Sequence, residues 1–167
     1  MYVFSIMKKF LFIILIIFIA IQFARPTKNI HPGFQAHDIK TLYNVPANVD
    51  TILTKACNDC HSNNTTYPWY YNIQPIAWWM NDHVNTGKSE INFNEFANLH
   101  PREQYKKMDA VQWQIRKNKM PMPSYTIIHK NAILTTTQKD AIINWAEGIR
   151  KQLKAKYPAD SLKSDDD

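Results

Sequence analysis

Both cysteines of this 167-residue chain fall in one run, Cys57-Asn58-Asp59-Cys60-His61, and that run constrains the fold more than any other feature. A disulfide across two intervening residues closes a tiny loop and adds little stability. A thioredoxin-like pair needs a βαβ context, and no alternating apolar pattern here is long enough to carry a sheet. Structural zinc wants four sulfur or imidazole ligands. Cys57, Cys60 and His61 supply three, and the adjacent Cys60 and His61 are awkwardly placed to share one tetrahedral ion. The remaining chemistry is covalent haem: two thiols add to the two vinyl groups, and the histidine that follows reaches the iron as proximal ligand. One haem c on Cys57 and Cys60, with His61 axial, is therefore expected.

Iron then has a second axial position, which small electron carriers fill with a methionine thioether from a proline-stiffened loop. Met120-Pro121-Met122-Pro123 fits that role, since proline fixes φ and limits sway. Met120 is the leading candidate, with Met122, His83 and water as alternatives; both methionines could instead only fill space beside apolar surface. Trp69, Trp78 and Trp79 are expected to wall the haem and exclude water, or else to pack as ordinary core. An indole N–H, Tyr67 or Tyr125 could bond a propionate. His31, His37, His100 and His129 have no companion pattern.

The pattern along the chain is all-α. Val49, Ile52, Leu53 and Ala56 recur at helical spacing toward Cys57. The aromatic stretch from Tyr67 to Trp79 reads as too bulky to face solvent, and Pro68 and Pro75 break it. A short helix runs from Pro75 to about His83, with Gly87 ending it or turning the chain. Pro101 opens another, with Tyr105, Met108, Val111 or Gln112, and Ile115 on one stripe. A last helix carries Ile142, Trp145, Ile149 and Leu153; its cap lies among Thr135–Thr137, and capping by Thr137 would put Asp140 at the third helical position. Asn64 and Thr65 are expected to make local turns under the haem edge. The expected division is an N-terminal helix over 1–24, an extended arm over 25–46, a haem-binding domain over 47–157 and a frayed polar tail over 158–167.

Lys8 and Lys9 precede the apolar run Phe10–Ile21, which reads as a transmembrane anchor or signal helix. Neither Ala20 nor Ala24 offers a clean small-x-small cleavage site, so an uncleaved anchor is favoured over a cleaved, soluble periplasmic form. The net charge is +6. Nucleic-acid binding would need a denser basic footprint or a recognisable fold. The stretch from Arg102 to Lys119 is either a solvated face or a docking surface for an acidic redox protein. With 3 glycines and no GxxxxGK or GxGxxG string, a phosphate cradle has nothing to be built from.

The blocks Cys57–Tyr70, Pro75–Trp79, His83–Lys88, Asn92-Phe93 and Met120–Tyr125, with Gln22–Pro26 and Asn44–Pro46 ahead of them, resemble the haem-binding domain family of bacterial (Bacteroidota) envelope proteins. The resemblance implies a small cytochrome-c-like fold, haem on Cys57 and Cys60, axial His61 and a methionine at Met120. The family's usual glycine-acid pair before that methionine is Asn118-Lys119 here, which removes a flexible residue and swaps a charge. Together these point to a monohaem c-type cytochrome, anchored on the periplasmic side of the inner membrane, that passes single electrons and is not an enzyme. The alternative is a haem-based sensor or a peroxidase-like enzyme whose sixth position is displaceable or open.

Overall fold

A computed structural model describes residues 2–162. The helices are α1 (Tyr2–Ile21), α2 (Ala47–Ala56), α3 (Asn58–His61), α4 (Ile76–Glu90), α5 (Pro101–Arg116), α6 (Pro123–Thr126), α7 (Thr136–Lys156) and α8 (Ala159–Leu162), with short 3-10 turns between them. Among the described residues the only β pairing is an isolated bridge between Ile30 and Asn64. The all-α expectation holds.

The predicted stripes become the core. Val49 and Leu53 of α2 meet Met108 of α5 and Trp145, Ile149 and Leu153 of α7, with Phe93 and Phe96 from the turn Phe93–Asn98 completing the cluster. A second cluster joins Ile52 and Ala56 to Ile115, Ala132, Leu134 and Ile142. Helix α2 contributes to both through one buried stripe, so the segment that leads into Cys57 is anchored to the core along its length. The α5–α7 seam has a polar edge as well: Arg150 pairs with Asp109 at 3.0 Å and Glu147 at 3.1 Å, and the Gln112 amide donates to Glu147 at 3.0 Å.

Several boundaries differ from the sequence reading. Helix α4 does not stop near His83 but continues to Glu90 with Gly87 buried inside it. Within the expected range Thr135–Thr137, it is Thr135 that caps α7: its hydroxyl accepts from the Gln138 N–H while the Gln138 side chain accepts from the Thr135 N–H. That reciprocal pair satisfies two otherwise orphaned donors, which a carboxylate at Asp140 would not. The arm is stitched down. Asn29 donates to the Ser62 carbonyl and the Thr65 hydroxyl and accepts from Lys88. In the tail, Ala159–Leu162 is helical and Leu162 is buried; the remainder of the expected polar tail lies outside the described residues.

The membrane anchor is overturned. Among the described residues no helix is long and apolar enough to cross a membrane. Behind Lys8 and Lys9 the apolar part of α1, Phe10–Ile21, rises only about 18 Å at about 1.5 Å per residue, against a hydrocarbon core of about 30 Å. Beyond it the chain turns onto the domain: Gln22 exchanges hydrogen bonds with the Gln74 backbone, and the Ala24 carbonyl accepts from both Gln74 and the Trp78 indole. The inner-membrane partner and the placement on its periplasmic face rested on that anchor and fall with it.

Two outcomes test the packing. Ile149→Ala, at a side chain 1% exposed, should lower unfolding free energy by about 2–5 kcal/mol in urea titrations, whereas Ile128→Ala on the surface should change it little. The Gln112 hydrogen bond holds the Glu147 carboxyl below its ordinary range, opposed by partial burial and reinforced by Arg150. A lowered folded pKa gives stability that is present above the unfolded carboxylate value of about 4.3 and is lost as pH falls through the folded value. Glu147→Gln should therefore flatten the acid side of the stability–pH curve and lower stability at neutral pH.

Candidate functional site

Helix α2 ends at Ala56, and Cys57 breaks the helical path with φ −129° before α3 begins. The break carries the two cysteines and His61 off the core-packed helix to the wall of a cavity of about 310 Å³. Ala56, Ile115 and Ile142 line its apolar side, while α4 contributes His83, Gly87 and Glu90. Met120, Pro121 and Met122 line the same cavity, although they lie 59 or more residues downstream of His61 in the sequence.

The His61 ring is fixed by backbone. Its Nδ1 lies 2.8 Å from the Gly87 carbonyl oxygen and 3.0 Å from that of Ile91. Carbonyls only accept, so Nδ1 carries the proton and Nε2 is left with its lone pair for a metal. Burial lowers the pKa of His61, against the opposing effect of these two bonds, which favours the neutral ring that ligation needs. Both cysteines are free thiols. Burial, and secondarily Cys60, pushes Cys57 up to about 12; burial, and secondarily Asp59, pushes Cys60 up to about 11. Among the described residues, no group of three or more His, Cys, Asp or Glu side chains is placed to hold a metal ion. Two free thiols, one nitrogen ligand and a mostly apolar cavity fit a haem, which brings its own four nitrogens.

Asp59, between the cysteines, locks the motif to its surroundings. It accepts from the Thr66 N–H at 3.0 Å and from the Tyr125 hydroxyl at 2.6 Å, while its carbonyl accepts from the Thr65 hydroxyl at 2.6 Å. Burial, with the hydrogen bond to Asp59 next, raises the Tyr125 pKa and keeps the phenol a donor. Tyr125 also stacks on His129, ring centroids 4.2 Å apart. The residues after the motif do more than turn locally: Asn63 donates to Gln35 and Glu95, and accepts from Asn92.

The loop that delivers Met120 starts at Asn118, whose φ of +53° is the left-handed conformation usual for glycine after a helix. Asparagine is among the few other residues that adopt it readily. Asn118 therefore makes the turn that a glycine would make there. Lys139 fastens the Asn118 side chain at 2.6 Å, and the Gln114 carbonyl accepts from the Lys119 N–H at 2.9 Å. Met120 packs against the second core cluster.

The tryptophans separate. Trp79 lies in the wall of a smaller adjoining cavity and sits 4.3 Å from the His83 ring; His83 Nδ1 is 2.8 Å from the Trp79 carbonyl oxygen. Trp78 spends its indole N–H on the Ala24 carbonyl at 2.7 Å and lines neither cavity. Trp69 lies in the turn Trp69–Asn72 and is 76% exposed, so the aromatic stretch does face solvent there. The Tyr67 hydroxyl accepts from the Asn29 N–H. Asp59 and Gly87 carry no sequence signal for their roles beyond lying inside or near the motif blocks.

The haem-binding domain family model matches residues 16–148, well over half of the chain. No curated protein and no solved structure matches significantly.

Removing the Tyr125 hydroxyl leaves a partly buried carboxylate oxygen without its donor. Tyr125→Phe should lower unfolding free energy by about 1–3 kcal/mol in urea titrations; no change would mean that this bond does not secure the motif.

Proposed function

The chain belongs to the haem-binding domain family and carries one covalent haem c on Cys57 and Cys60, and on that premise we propose that it is a one-electron redox domain, not an enzyme with a substrate site of its own. When bound, the haem supplies the Fe(III)/Fe(II) couple. The chain's residues do the rest. His61 presents Nε2 because Nδ1–H is committed to two carbonyls. Met120 offers a thioether from a loop held at Asn118 and Lys119 and backed by the second core cluster. The apolar cavity lining would limit water around a bound haem iron, which would favour its reduced state.

The observation that carries this reading is that both thiols, His61 and Met120 line one cavity. A ligand set that stays the same in both oxidation states keeps reorganisation small. The finer resemblance, to Bacteroidota members, rests on the sequence blocks quoted above and is part of this proposal.

A second reading has an observation of its own. Met122 and His83 line the same cavity as Met120, so the sixth position has rival donors and could be displaceable, as in a haem sensor or a peroxidase-like enzyme. Oxidised protein held by Met120 should show the methionine–iron charge-transfer band at the far-red end of the visible spectrum. Met120→Ala should abolish that band and open the iron to carbon monoxide in the reduced state, while Met122→Ala should leave both as in the parent. A parent protein that lacks the band and binds carbon monoxide rapidly would favour the second reading. Loss of the band in Met122→Ala alone would reassign the ligand.

A further inference from the structure

Gly87 sits inside α4, where glycine is normally a poorer choice than alanine. The reason is contact. A Cβ built on Gly87 would lie 2.6 Å from the Cys60 carbonyl oxygen, 3.0 Å from Cys60 Cβ and 3.2 Å from the Cys60 carbonyl carbon. Two of these three neighbours are backbone and cannot swing aside as a side chain would. Any side chain at this position therefore pushes α4 away from the haem-attachment segment. The same residue's carbonyl oxygen accepts from His61 Nδ1–H at 2.8 Å, and one helical turn further Ile91 accepts from the same N–H at 3.0 Å.

These two facts belong together. Closeness at Cys60 is what brings the carbonyls at the end of α4 within reach of the His61 ring. We propose that Gly87 is a positioning residue for the axial imidazole: by lacking a side chain it lets α4 seat against Cys60, and the resulting pair of acceptors on Nδ1–H sets how strongly His61 donates to iron. A well-accepted Nδ1–H makes the imidazole more basic and stabilises the oxidised metal. Weakening the pair should move the couple upward in potential. The proposal rests on the haem reading above and adds a determinant of the iron's properties to it.

The test is Gly87→Ala in the haem-loaded, full-length protein, with Gly148→Ala as control. Gly148 lies in α7, and a Cβ there meets nothing within 4 Å. Gly87→Ala should raise the midpoint potential and alter the low-spin electron paramagnetic resonance signature of the oxidised iron; Gly148→Ala should change neither. A Gly87→Ala protein that melts earlier yet keeps the parent potential and signature would show a purely structural role and overturn the proposal. Should Gly87→Ala fail to load haem, the parent protein decides. In its reduced, diamagnetic form the His61 Nδ1–H should be seen by nuclear magnetic resonance as a slowly exchanging proton, and rapid exchange would overturn the proposal. Haem staining of the parent is read first: absence of covalent haem there overturns the underlying reading, whereas haem-loaded parent with an unmoved variant overturns this inference alone.

Discussion

An axial histidine must present one nitrogen and occupy the other, and the rest of this structure can be read outward from how that is done. The two carbonyls that accept from His61 Nδ1–H come from Gly87 and Ile91, at the end of a helix separated from the motif by an aromatic turn. For them to arrive, α4 must lie against Cys60 without an intervening side chain, and α2 must hold the start of the motif in place from the other side. The second demand explains why α2 belongs to both core clusters. The first explains a glycine inside the last turn of α4.

The cavity is then a consequence of where the helices cannot meet. Helix α2 packs with α7, and α5 packs with α7, but the turn at Cys57 and the departure of the chain at Asn118 leave a space between α3, α4 and α5. The asparagine at the left-handed position closes α5 and sends the chain back across that space. Asp59 ties the haem-attachment motif to Tyr125, another residue of the cavity lining. Motif, helix and methionine loop are thus joined by hydrogen bonds as well as by apolar contact, which limits how far any one of them can drift before the haem is held.

Much of this was legible in the sequence because burial repeats at helical spacing: Val49, Ile52, Leu53 and Ala56, and then Ile142, Trp145, Ile149 and Leu153, all lie buried as their periodicity requires. The chemistry of Cys57, Cys60 and His61 was legible because few uses suit that spacing. The acceptors of His61 were not, since they are backbone groups 26 and 30 residues away and leave no trace in side-chain identity. From sequence alone Gly87 reads as a residue that ends the helix or turns the chain, because glycine commonly does so; only the proximity of Cys60 shows that it serves packing. The three tryptophans, alike in the sequence, take different surroundings, with Trp79 alone lining a cavity next to the motif. Apolar bulk predicts burial on average, but Trp78 is claimed by the Ala24 carbonyl and Trp69 rides on an exposed turn. The apolar run of α1 reads as an anchor by composition, whereas among the described residues no helix is long and apolar enough to cross a membrane.

The central claim is that two thioether bonds hold one haem beside His61. Intact-mass spectrometry under denaturing conditions, on protein made in a host competent for cytochrome c maturation, tests it most directly. The account predicts a single species heavier than the polypeptide by one haem, with no thiol open to alkylation. A bare polypeptide mass with two alkylatable thiols would contradict it.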